Sequence, residues 1–110
     1  MRTAWPFPNQ PRSTRTHVIR GRRYAIRRRP LRASWAIADP DGVYGDGQPK
    51  LIVDSRLRGV ELLEFLIHEL LHVSFYGLAE EAISETANDL AALIWKHLEE
   101  IAEEATDRAG

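Results

Sequence analysis

The most constraining stretch of this chain is Val60 to Phe75, sixteen residues without Pro or Gly. Such a run predicts a helix, started by a cap between Asp54 and Gly59 and ended by Gly77. At its centre stands His68-Glu69-Leu70-Leu71-His72. Residues four apart share a helix face, with Cβ atoms about 5–6 Å apart. Two imidazoles at that spacing can each give one nitrogen to a single Zn²⁺ at about 2.0–2.1 Å. Glu69 then sits beside the metal without binding it, placed to take a proton from water. With 4 His and 10 Glu in 110 residues, an HExxH should arise by chance on the order of once in a hundred such chains. Two ordinary histidines on a buried helix are the bland alternative. The strongly apolar flanks argue against it, because a polar stripe there needs a buried purpose.

A third ligand is expected from Glu80-Glu81-Ala82-Ile83-Ser84-Glu85. After Gly77 a second helix should run from about Ala79 to Ala105, folding back as an αα-hairpin. That turn brings residues 82–86 beside residues 72–68. Glu81 and Glu85 bracket this level and share a face. Glu81 is preferred as the third ligand, with Glu85 accepting the free N–H of a ligand histidine. Glu80 is the rival. It lies nearer the apolar stripe of Ile83, Ala87, Leu90, Ile94 and Ile101, but only Glu81 also explains Glu85. Two acidic residues favoured by a helix N-terminus are the bland reading of both.

These motifs resemble the thermolysin-like gluzincins, which pair HExxH with a downstream N-E-x-x-S-D. By that resemblance Glu81 is the zinc ligand and Glu85 the orienting carboxylate. Glu80 replaces Asn, Glu85 replaces Asp, and the spacer after His72 is much shorter. The compact layout of Leu57 to Trp95 also resembles small metallopeptidase-like proteins of phages and bacteria. The resemblance covers a little over a third of the chain. It implies an α+β, minimal zincin-like fold, with a small, mostly antiparallel sheet and two main helices. It also implies a zinc metallopeptidase that hydrolyses peptide bonds, with Glu69 as catalytic base and His68, His72 and Glu81 holding Zn²⁺. A second oxyanion donor would come from Tyr24, Tyr44, Tyr76 or His17.

Length predicts one domain at residues 14–110, behind a basic, Pro-rich flexible arm at 1–13. No apolar stretch approaches a membrane span or a signal core, so a cytoplasmic location is expected. With no Cys, a zinc site must use N and O ligands, which excludes zinc fingers and ribbons. The net charge of −1 hides an asymmetry. Residues 1–60 carry 13 Lys and Arg against 4 acidic residues, and residues 61–110 carry 2 against 12. The basic half suggests weak contact with nucleic acid or an acidic partner, but mutual neutralisation of the two halves across one fold is the preferred reading. A zinc-containing assembly protein without turnover is a further alternative.

Short β-prone segments are expected at Thr16–Arg20 and Arg22–Arg27, split by Gly21, and at Ala33–Ala38. Asp39-Pro40-Asp41-Gly42 is a turn signal. The loop at Gly45–Pro49 is read as a rim of the cleft. Lys50–Asp54 is the clearest strand, and its free edge is expected to bind an extended substrate.

Overall fold

The computed structural model describes residues 15–109. The arm expected at residues 1–13 lies outside them. Four strands and two helices follow in chain order: β1 Thr16–Ile19, β2 Arg22–Arg29, β3 Ala36–Asp39, β4 Lys50–Asp54, α1 Gly59–Ser74 and α2 Glu80–Ala109. The result is an α+β fold with the expected two helices, the first carrying HExxH.

The strand order is β1-β2-β4-β3. Arg20 and Gly21, both at positive φ, turn β1 into antiparallel β2. β2 pairs with β4 in parallel, and β4 pairs with β3 antiparallel. The sheet is therefore mixed, with two of its three pairings antiparallel. The expectation of a free edge on β4 is corrected here, since β4 is internal and paired on both sides. Its unbroken Lys50–Asp54 run is buried throughout, and a run buried on both faces suits a central strand. The free edge beside the helix belongs to β3.

Side chains alternate across a strand, so Tyr24, Leu51 and Ala38 face α1, where they meet Val73. Lys50, Ile52 and Asp54 face the other way and are fully buried. Segments 30–35 and 40–48 are tied to that second face. Leu31 N–H donates to Asp54 at 2.9 Å. Asp46 pairs with Lys50 at 3.3 Å and with Arg27 at 2.9 Å. The 45–49 loop, expected from the sequence to rim the cleft, is instead pinned to the sheet face away from α1. The predicted turn is present: Gly42 N–H donates to Asp39 O at 3.4 Å. Gly42 has φ +71°, and a Cβ there would lie 2.1 Å from the Gly47 carbonyl carbon, so the loop closes only with glycine.

α1 has two buried sides. Val73 packs on the sheet, while Ile67 packs against Ala87 and Ala91 of α2. Among the described residues, α2 packs on α1 and on no strand.

Candidate metal centre

α1 carries the histidines, and its end sets where α2 begins. Phe75 N–H closes the last turn on Leu71 O at 3.0 Å. Gly77 at φ +90° then reverses the chain, as a left-handed glycine after a helix does. α2 starts at Glu80, so this residue faces the end of α1 directly.

Three polar groups, two imidazoles and one carboxylate, converge there. His68 Nε2 lies 2.9 Å from Glu80 Oε1, and His72 Nε2 lies 3.1 Å from Glu80 Oε2. The two Nε2 atoms are 3.1 Å apart. Hydrogen bonds cannot satisfy all three contacts. Each neutral imidazole carries one N–H and the carboxylate carries none, so if both N–H groups point at Glu80 they crowd each other across the third. A cation between them satisfies all three. Ligands about 2.0–2.1 Å from a tetrahedral ion stand about 3.3 Å apart, close to the spacing found. The histidine side chains are 17% and 34% exposed and that of Glu80 is 64% exposed, so the site opens to solvent.

Glu69 completes the cluster without joining that triangle. Ligand atoms of His68, Glu69 and His72 lie within 4.8 Å of one another, and the group can hold a metal ion. Glu69 is buried, and the N–H of Ala38 on β3 donates to its carboxylate. Burial pushes its pKa up; the charge of His72 and the Ala38 N–H pull it back, while Glu80 pushes it further up. The net shift is upward.

The sequence reading preferred Glu81, and the structure brings Glu80 to both imidazoles instead. The cause is helical phase. Ile83, Ala87 and Ala91 are buried on α2, and Glu80 lies three and seven positions before the first two, on the same stripe. Glu81 is turned about 100° away and is exposed. Glu85 is about 140° round from Glu80 and lines a separate groove with Glu64, Ser84, Asn88 and Asp89. Among the oxyanion candidates, Tyr24 is core, 3% exposed, while Tyr44 and Tyr76 are exposed, as is His17. Sequence reasoning missed the Ala38 N–H altogether, because a backbone donor carries no residue signature. Comparison with known protein families, with curated proteins and with solved structures finds no match for this chain.

Proposed function

We propose that this chain is a small, gluzincin-like zinc peptidase, with His68, His72 and Glu80 holding Zn²⁺ and Glu69 as the base. The observation that carries this reading is the triangle of two Nε2 atoms and one carboxylate, each edge 2.9–3.1 Å. Neutral imidazoles with one carboxylate form a ligand set common to zinc hydrolases, and they leave a fourth position open. When bound, Zn²⁺ would polarise the scissile carbonyl and acidify water.

The protein's own groups supply the rest. Glu69 takes a proton and returns it to the leaving amine, as a positioned general base does. The Ala38 N–H fixes its orientation. Because Asp54 N–H bonds to Trp35 O and Ala36 pairs with Val53, the backbone groups of Ala36 and Ala38 turn to the outer side of β3. With the Ala38 N–H given to Glu69, that edge offers an extended peptide the N–H and C=O of Ala36 and the C=O of Ala38.

The test is peptide-library cleavage by the zinc-loaded chain and its Glu69→Gln variant. Wild type should cleave. Glu69→Gln should keep its zinc and lose about 10²–10⁴-fold in turnover. Zinc-loaded wild type that cleaves nothing would defeat the peptidase reading and favour a metal-stabilised assembly role, which the openness of the site also suits.

A further inference from the structure

The apolar stripe of α2 outlasts its partner. Trp95 lies over Gly59, the first residue of α1, so residues 96–109 run on past the end of α1. At 1.5 Å per residue that is about 21 Å of helix. The stripe continues without a change of phase. Ala87 and Ala91 are buried against α1; Ile94, Leu98, Ile101 and Ala105 follow at alternating spacings of three and four. Ile94 is 36% exposed, Trp95 46% and Ile101 57%. A solvated tail would not keep this seam, whose spacing is that of helix-on-helix packing.

We propose that the face from Ile94 to Ala105 docks a basic amphipathic helix of a partner protein. The borders of the face decide its occupant. Helical phase puts Glu100 and Glu104 along one side and Glu99 along the other. Between Asp89 and Thr106 there are five acidic residues and one basic residue, Lys96. A second copy of this chain would bring the same acidic borders together, and like charges across an interface oppose pairing. A cationic helix meets the stripe with its apolar face and the glutamates with its flanks. Trp95 gives the seam an aromatic anchor of the kind that dominates interfaces. The inference stands apart from the metal centre, which lies towards the other end of α2.

The experiment titrates the full chain with a fluorescent Leu/Lys peptide that forms an amphipathic helix, beside a scrambled peptide of the same composition. Saturable binding of the first, falling with added salt, is expected. Ile101→Glu should weaken it by about tenfold or more, equivalent to ~1.4 kcal/mol. Glu100→Lys with Glu104→Lys, which leaves the stripe intact, should also weaken it. Circular dichroism on each variant checks that the helix persists. Equal binding of the scrambled peptide, or unchanged binding by Ile101→Glu, would overturn the proposal. So would a dimer in size-exclusion chromatography that Ile101→Glu abolishes, since a second copy would then occupy the face.

Discussion

At the scale of single residues, the choice between Glu80 and Glu81 shows what one helical position is worth. Both are acidic, adjacent and in the first turn of α2, so composition cannot separate them. Phase against Ile83 and Ala87 can, and that signal is present in the sequence, though the pairing of Glu81 with Glu85 at i, i+4 competes with it. Competition with a zinc chelator should show Glu80→Ala losing more than the ~10–100-fold typical of outer-sphere partners, while Glu81→Ala stays near wild type. Equal losses would refute the assignment. Asp54 makes a second prediction. Arg56 holds its pKa well below the usual carboxylate range, against the opposing effect of burial, and the N–H groups of Arg56 and Leu31 assist. A carboxyl whose pKa falls on folding stabilises fully above its unfolded value, near 4, and loses that contribution as pH falls below it. Thermal melts should therefore show wild type weakening below about pH 4. Asp54→Asn should be less stable at pH 7 and lose less on acidification.

At the scale of elements, helices were more legible than strand order. Val60–Phe75 and Ala79–Ala105 were readable from 3.6-residue periodicity, and the observed helices differ from them chiefly in the longer C-terminal end of α2. Strand segments could be found too, because β-branched runs between turn residues mark them. Their order could not: Lys50–Asp54 carries no local sign that β2 will pair with it in parallel while β3 closes its other side. The segment after β3 holds its turn but does not bring Gly45–Pro49 to the cleft, because its anchor is a long-range contact. Asp39 accepts N–H bonds from Val43 and Tyr44 at 2.8 and 2.9 Å and pairs with buried Lys50 at 3.3 Å. Burial alone would raise the Asp39 pKa, but these donors lower it. Removing one partner of a buried pair leaves a stranded charge, which costs about 3–5 kcal/mol. Asp39→Ala should lower the urea midpoint accordingly with an unchanged slope. A shift under about 1 kcal/mol would mean that Asp46 alone satisfies Lys50.

For the whole molecule, the charge asymmetry resolves in part into internal wiring. Arg27 is held by Asp46, Arg56 by Asp54, and Arg28 donates to the carbonyls of Ser55 and Leu57 at 3.2 and 2.6 Å. Those contacts make part of the basic half structural, which composition alone could not tell from a nucleic-acid surface. Arg28→Ala should cost about 1.5–3 kcal/mol, as loss of hydrogen bonds from a charged group does, whereas Arg22→Gln should change stability by under ~0.5 kcal/mol, as surface substitutions do. Denaturation of both variants checks the contrast. The α1–α2 hairpin has a kinetic consequence. His68, His72 and Glu80 all lie on it, in one short span of chain, whereas the parallel β2–β4 pairing must close a long loop. Local contacts form sooner than non-local ones, so the ion-binding trio can assemble while the sheet is still open. If the proposed centre holds Zn²⁺, the ion should then bind the folding transition state as well as the finished protein. In a chevron experiment the refolding arm should rise with Zn²⁺; an ion that only slowed unfolding would show that the hairpin waits for the sheet.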